Sequence, residues 1–288
     1  MAPDRLLNFA LTGLTGIALL LLIALGLAII FGMMRIINLA HGEFIMIGAF
    51  VTLFATRSGV NFWLTIPIAA LTVGAVGVLV ERLLIQHLYG RLAAAMLATW
   101  GLSLIMIQSV VLLFGASTRG LSTPLGSLRF GRFSVSQYSL VLILAAVVLV
   151  VLVYLVFTRT RYGVMARAAI QQPEIAAAVG IDVRRVNMLT FGFGSAIAGT
   201  AGALIAPVVG VVPSMGQAFV ARAFVTVIVG GPAVLTGTTS AAALLGGIDR
   251  VVSFATTQFL GQIALLVAAI LLLRFMPTGI SGRLRAHL

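Results

Sequence analysis

The sequence predicts an all-α, polytopic membrane protein with about eight transmembrane helices, or nine to ten if shorter apolar runs also cross. Hydrophobic side chains make up 61% of its 288 residues, and charged side chains only 8%. A soluble globular domain carries about 25% charged residues, so this composition excludes one. The mean hydropathy of +1.20 agrees with that exclusion. Residues 1–288 are therefore expected to form a single transmembrane domain with no separate soluble domain.

The first half of the chain contains four long apolar runs and one short run. The long runs cover residues 6–34, 62–80, 92–114 and 138–157, and the short run covers 44–55. The first run is longer than the apolar core of a signal peptide, about 7–15 residues, so we interpret it as an uncleaved span. The short run cannot cross a bilayer unaided and is predicted to be half of a broken helix.

The second half contains four apolar runs with weaker boundaries. They cover residues 186–212, 218–229, 238–247 and 251–273. The sequence Val229-Gly-Gly-Pro232 predicts a helix break, because proline cannot continue the hydrogen-bond ladder of a helix. The adjacent charges Asp249 and Arg250 predict a loop end between the last two runs.

Arginine placement predicts which loops face the cytoplasm, because cytoplasmic loops are enriched in basic residues. The connector 82–91, the segment 158–185 and the C-terminal tail contain arginines and are predicted to share the cytoplasmic side. The loop 116–137 is predicted to face outward. This loop bias accounts for the net charge of +12 without any nucleic-acid partner.

Several kinds of chemistry are excluded by the residue types that the chain lacks. It has no Cys, and all of its 18 basic residues are Arg. It therefore has no thiol chemistry and no phosphate-loop lysine. His41, His87 and His287 lack the spacing of metal ligands, so no metal site is predicted. We find neither paired carboxylates nor a Ser/His/Asp arrangement, so no catalytic residues and no enzyme activity are predicted.

Asn38, His41, Gly42 and Glu43 form a polar cluster between two apolar runs. An ionisable residue inside a membrane is costly and usually faces a cavity or a partner. One interpretation is a helix break that lines a translocation pathway, with Glu43 and His41 bonded to the freed backbone groups. The other is an interfacial loop in contact with water. The residues alone leave both interpretations open.

Residues 158–185 form the longest hydrophilic segment and are predicted to contain a short cytoplasmic helix. Pro173 suits the first helical position, Glu174 suits the positive N-terminal end, and Gly180 suits the C-terminal end. Such a helix either lies passively on the membrane surface or docks a cytoplasmic partner. The flanking arginines and the weak amphipathic pattern favour docking.

Small residues recur every four positions in the run 186–212. One stripe contains Gly194, Ala198 and Gly202, and the other contains Ser195, Gly199 and Ala203. Small residues at this spacing let two helices approach closely in lipid. We therefore predict helix packing through Gly194, Ala198, Gly199 and Gly202 rather than contact with a substrate.

Two of these segments resemble signatures of the permease subunits of branched-chain amino acid ABC importers. The stretch from Met34 to Phe44, MRIINLAHGEF, is similar to a signature near the start of those permeases. The stretch from Glu174 to Gly180, EIAAAVG, resembles the Glu-Ala-Ala-x-x-x-Gly loop that binds the ATPase. It departs from that loop because Ile175 replaces the first alanine and no Ile-x-Leu-Pro follows. The resemblance extends from about residue 20 to the ending MPTGISG.

The resemblance implies roles for two sets of residues and a set of partners. It implies coupling to the ATPase through Glu174, Ala177, Gly180, Arg184 and Arg185, and a place near the pathway for Asn38, His41, Gly42 and Glu43. The implied partners are a second homologous permease, two cytoplasmic subunits that bind ATP and Mg, and a periplasmic or extracellular substrate-binding protein. The implied location is the bacterial inner membrane, and this chain is expected to need no cofactor of its own.

The same resemblance implies that the substrate is a branched-chain or other hydrophobic amino acid. Residues 97–103 and 184–192 also resemble the related urea and short-chain amide permeases, which are the alternative. A secondary transporter or channel that works without ATP is a further alternative. It would need an intramembrane carboxylate for ion coupling, and Glu43 is the one candidate that the sequence offers.

Overall fold

The computed structural model describes residues 3–130 and 133–285, and most of them lie in helices. In chain order these are α1 (Pro3–Met34), α2 (His41–Arg57), α3 (Phe62–Leu83), a 3₁₀ turn (Ile85–Leu88), α4 (Leu92–Phe114), α5 (Gln137–Arg159), α6 (Arg161–Gln171), α7 (Pro173–Ala178), α8 (Val183–Val209), α9 (Met215–Gly230), α10 (Val234–Ala255), α11 (Gln258–Phe275) and α12 (Gly279–Arg285). Two short strands, β1 (Ser127–Phe130) and β2 (Phe133–Ser136), pair antiparallel in the loop before α5. The predicted all-α membrane class is confirmed.

Six helical stretches of the described chain are long and apolar enough to cross a membrane. They are residues 9–34 of α1, α3, α4, α5, α8 and the stretch 258–282. Helices α9 and α10 meet at 115° and form a seventh candidate if they are taken as one broken span. The short run at 44–55 lies in α2, which is 17 residues long and mostly buried. Helix α2 is not among these candidates, so the described residues contain six or seven candidate spans where the sequence predicts about eight.

The break between the last two apolar runs lies later than predicted. Asp249 and Arg250, expected at a loop end, lie inside α10, and the chain leaves the helix at Thr256. Their side chains are 16% and 28% exposed, with Arg250 Nε 3.7 Å from a carboxylate oxygen of Asp249. Helix α10 accommodates Arg250 because the arginine side chain lies against Gly16 of α1, and any Cβ on Gly16 would overlap that side chain.

The chain divides into two compact units, each with its own helix packing. One unit contains residues 25–121 and 151–221, and the other contains residues 1–24, 122–150 and 222–288. In the unit of residues 25–121 and 151–221, α8 is the central helix and packs against α2 and α3. In the other unit, α10 and α11 pack against each other.

The hydroxyl of one serine, Ser281, forms hydrogen bonds with two backbone groups at the break between α9 and α10. The hydroxyl of Ser281 donates to the carbonyl of Gly230 at 2.7 Å and accepts from the N–H of Ala233 at 3.1 Å. Gly231 has a φ of 81°, a left-handed conformation that glycine adopts without strain. The backbone groups that are freed at the predicted break are therefore satisfied by a side chain of α12.

Candidate translocation and coupling sites

The polar cluster lies where the chain leaves α1 and enters α2. Residues 35–40 are not helical, and Arg35 has a left-handed φ of 52°. Asn38 and His41 are 0% exposed and Glu43 is 1% exposed. The side-chain Oδ1 of Asn38 accepts from the N–H of Ala40 at 3.1 Å and so shapes the turn into α2. This burial favours a helix break inside the protein over an interfacial loop in contact with water.

Glu43 does not bond to the freed backbone groups, contrary to the sequence-based expectation. Among the described residues neither carboxylate oxygen has a fully formed hydrogen bond, although the hydroxyl of Ser103 lies beside the carboxyl. The freed N–H of Leu39 donates instead to the hydroxyl of Thr99 on α4, at 3.1 Å. A carboxylate can only accept hydrogen bonds, and burying one without a donor is costly.

Helix α4 supplies two partners of this cluster that the sequence analysis missed. Thr99 is 0% exposed, and Ser103, one turn later, is 4% exposed with its hydroxyl beside the carboxyl of Glu43. The two residues lie four positions apart and therefore share one face of the helix. The sequence could have indicated both residues, because they form a polar pair inside an apolar span and polar residues in spans face the protein interior.

Gly42 and the glycines of α8 bring backbones into direct contact. A Cβ on Gly42 would overlap the backbone of Gly216 in α9. A Cβ on Gly202 would overlap the carbonyl of Ile45 in α2, and one on Gly199 would lie 2.6 Å from Cβ of Val73 in α3. The small-residue stripe of α8 therefore faces the helices that surround the polar cluster.

The remaining members of the stripe meet the second half of α1. A Cβ on Gly194 would lie 2.6 Å from Cγ1 of Ile30 and 2.9 Å from the carbonyl oxygen of Gly26. Ala198 is 0% exposed. No larger side chain fits at Gly194 without displacing α1, because part of the obstruction is backbone.

The hydrophilic segment predicted at 158–185 consists of two helices, α6 and α7, joined at Gln172. Pro173 begins α7 and Glu174 lies in its first turn. At the other end of α7, Gly180 has a φ of 89°. The N–H of Gly180 donates to the carbonyl of Ala177, and the N–H of Ile181 donates to the carbonyl of Ala176, each at 3.0 Å. These two bonds form a Schellman motif, which ends a helix with a left-handed residue.

The surface around α7 is open on almost every side. Ala176 is buried and anchors the helix, whereas Glu174, Ala177 and Gly180 are exposed. Ile175 and Val179 are 59% and 72% exposed, which leaves apolar side chains uncovered. A cavity of about 300 Å³ opens beside the start of α7, lined by Gln171, Gln172, Pro173, Glu174 and Ile175.

The two predicted coupling arginines lie just after this surface, at the start of α8. Arg184 and Arg185 are both exposed. Arg185 forms an ion pair with Asp182 at 2.9 Å, and Asp182 also caps α8 by accepting from the N–H of Arg185 at 3.1 Å. An ion pair this exposed contributes little stability, so both guanidinium groups are free to meet a partner.

Two side-chain contacts attach α6 to the membrane helices. The hydroxyls of Tyr162 and Thr190, on α6 and α8, are hydrogen-bonded at 2.6 Å. Arg167 donates to the carbonyl of Phe157 in α5. Burial raises the pKa of Tyr162, so its phenol keeps its proton. Helix α6 is therefore joined by side-chain contacts to both α8 and α5.

The sequence matches the family described as the permease component of branched-chain amino acid transport systems, over residues 9–276. The chain belongs to this family. The permease is 29% identical to BraD, the high-affinity branched-chain amino acid transport system permease protein of Pseudomonas aeruginosa, over 94% of both chains. It is 30% identical to the corresponding protein LivH of Escherichia coli over 91% of both chains, and 29% identical to LivM of the same organism over 93% of this chain and 69% of that relative. No solved structure matches it.

This multi-pass permease places its two candidate sites at opposite parts of one helix. The coupling segment leads directly into α8, because Asp182 both ends that segment and caps the helix. Farther along, the glycines of α8 contact α2, which begins at His41 of the polar cluster. One helix therefore connects the exposed surface of α7 to the buried polar groups.

Proposed function

We propose that this permease is the transmembrane subunit of an ATP-driven importer that passes branched-chain or other hydrophobic amino acids across the bacterial inner membrane. The observation that carries the proposal is the family match over residues 9–276, which includes nearly all of the chain. The relatives BraD and LivH, named for high-affinity branched-chain amino acid transport, are similar over 94% and 91% of their own length. The urea and amide alternative has no comparable support.

In this proposal α7 is the coupling helix that docks a cytoplasmic ATPase. Its exposed apolar side chains, Ile175 and Val179, provide the contact area, and Glu174, Arg184 and Arg185 provide charge around it. ATP binding draws two ATPase subunits together and moves their docked helices. The bonds from Tyr162 and Arg167 carry that movement to α8 and α5.

The proposed pathway runs beside Asn38, His41, Gly42 and Glu43, at the break between α1 and α2. Breaks in membrane helices place polar backbone and side-chain groups inside the bilayer, where transporters hold their substrates. The close backbone contacts of Gly42 and Gly202 mean that a shift of α8 moves α2 with it. Access to the two sides of the membrane alternates as these helices shift.

The permease itself is proposed to be non-catalytic and to need no cofactor. It lacks lysine and therefore has no phosphate-loop lysine, so ATP and Mg bind to separate ATPase subunits. The relatives include both LivH and LivM, which supports a second, homologous permease in the assembly. A periplasmic or extracellular binding protein delivers the substrate.

The experiment that tests this proposal is affinity purification of the permease from its native membrane in mild detergent, followed by mass spectrometry. We expect a second permease and two copies of an ATPase to accompany it. The binding protein encoded with them should then bind leucine in a titration, and urea and acetamide should not bind. Recovery of the permease alone, together with amino acid uptake that survives ATP depletion, would establish a secondary transporter instead.

A further inference from the structure

Two unpaired polar groups of opposite type lie beside the break between α1 and α2. As a carboxylate, Glu43 only accepts hydrogen bonds, and among the described residues the hydroxyl of Ser103 lies beside it but neither oxygen has a fully formed hydrogen bond. The Nδ2 of Asn38 only donates, and it has no acceptor in the part of the chain that the structure describes. Both side chains are almost completely buried. Buried polar groups are nearly always satisfied in native proteins, so an unpaired donor and an unpaired acceptor at one site need an explanation.

A zwitterionic amino acid carries the groups that would satisfy both. Its ammonium has three N–H donors for a carboxylate, and its carboxylate accepts from an amide N–H. A positive partner is also what a buried negative charge requires, because an isolated charge in a low-dielectric interior is strongly destabilised. Urea is neutral and would leave the charge of Glu43 uncompensated.

We propose that Glu43 binds the ammonium group of a free amino acid and that Nδ2 of Asn38 binds its carboxylate, with Ser103 orienting Glu43. This inference rests on the proposed function and assigns the substrate contacts within it. Asn38 is held in place by the bond from Ala40 to its Oδ1, so that its Nδ2 remains available. Ser103 acts as a positioning residue, because its hydroxyl lies beside the carboxyl of Glu43.

Helix α4 is the wall of this site with the fewest close contacts to α2. It is buried along a single stripe, formed by Ala95, Thr99, Ser103, Met106 and Val110. Its other faces carry large exposed apolar side chains such as Leu112, which is 78% exposed. By contrast α2 and α8 are joined through backbone contacts at glycines. Opening between α4 and α2 therefore breaks fewer close contacts than opening between α2 and α8.

The test uses the complete transporter, purified with its partner subunits and reconstituted into proteoliposomes with saturating leucine-loaded binding protein. Glu43→Gln removes the charge and keeps the shape. We expect it to lower the rate of leucine uptake by about tenfold to a hundredfold, as for a lost charge-assisted hydrogen bond.

Glu81→Gln is the matched control, because Glu81 is the other deeply buried glutamate of the described residues. It is 2% exposed but is paired with the hydroxyl of Tyr89. Its neutral variant should transport leucine at close to the wild-type rate. Equal uptake by Glu43→Gln and Glu81→Gln would overturn the proposed site while leaving the importer itself intact. A wild-type complex that does not transport leucine would overturn both proposals.

Variants of two further residues decide the matter if Glu43→Gln fails to assemble. Asn38→Asp keeps the oxygen that Ala40 needs and removes the donor, so it should lower leucine uptake while the complex still assembles. Ser103→Ala should lower uptake several-fold, and Ser103→Thr, which keeps the hydroxyl, should restore it. Wild-type uptake by both Asn38→Asp and Ser103→Ala would contradict the assignment.

Discussion

The ring of Phe191 on α8 meets the ring of Phe44 on α2 edge to face, with centroids 5.9 Å apart and an interplanar angle of 78°. Both side chains are 0% exposed. Phe44 directly follows Glu43, and Phe191 lies only a few turns from the coupling segment. This contact packs α2, which begins in the polar cluster, against α8, which follows the coupling segment, and Gly202 of α8 contacts the backbone of Ile45 in α2.

Phe191→Ala is expected to destabilise the permease by about 3–5 kcal/mol, because it removes a buried ring and leaves a cavity. Phe191→Leu should cost clearly less, because it fills most of that space. The measurement is the temperature at which the purified permease aggregates in detergent. Phe259→Ala is the control, since Phe259 is 70% exposed. A Phe191→Ala protein as heat-stable as the Phe259→Ala protein would show that the ring contact does not support α8.

Gly202→Val is expected to prevent correct folding, because its side chain would overlap the backbone of Ile45. Backbone cannot rotate away as a flexible side chain can, so α2 and α8 would have to separate. The measurement is the yield of monodisperse permease after size-exclusion chromatography. Gly101→Val is the control on α4, because a Cβ on Gly101 meets nothing within 4 Å. Similar yields of the two variants would contradict the close packing of α2 and α8.

Gly180→Val is expected to abolish ATPase binding and leucine uptake while the affinity of the binding protein for leucine stays unchanged. A β-branched residue is strained at a φ of 89°, so the end of α7 would be remodelled. The measurement is the amount of ATPase that co-purifies with the permease.

Gly90→Val is the control for this coupling variant, because Gly90 has a similar φ of 78° but lies in the loop before α4. It introduces the same backbone strain outside α7. It should therefore retain the ATPase. Equal loss of the ATPase in both variants would indicate general misfolding rather than a docking role for α7.

Tyr89→Phe is expected to destabilise the permease by about 1–3 kcal/mol, because it leaves the buried carboxyl of Glu81 without its donor. The Tyr89 hydroxyl lies 2.5 Å from that carboxyl. Burial and the neighbouring Glu81 both raise the pKa of Tyr89, so the phenol keeps the proton that it donates. The measurement is a double-mutant cycle of thermal stability with Glu81→Gln. Additive effects of the two substitutions would show that the pair does not interact.

The sequence was sufficient for the features that depend on composition and local chemistry. Apolar run length predicts the spans, and Pro173 and Gly180 predict the two ends of α7 because each residue type fits a particular backbone conformation. The pattern Val229–Pro232 likewise predicts the break between α9 and α10. These features need only neighbours in the sequence, so they can be read from it.

Features that depend on distant partners could not be predicted in this way. Asp249 and Arg250 suggest a loop end in the sequence, but Gly16 of α1 makes room for the arginine inside a helix. Ser103 is near Glu43 only because α4 folds back against α2. The bonds from Ser281 to Gly230 and Ala233 join residues about fifty positions apart. In each case the deciding neighbour belongs to another helix.

The most direct test of the account is leucine uptake by proteoliposomes that contain the purified complex of the permease and its partner subunits. ATP is enclosed in one set of vesicles and ADP in the other, and leucine-loaded binding protein is added on the opposite side. We expect leucine to accumulate against its gradient only in the vesicles with ATP and binding protein. Equal accumulation in vesicles with ADP, driven by an imposed ion gradient, would contradict the account.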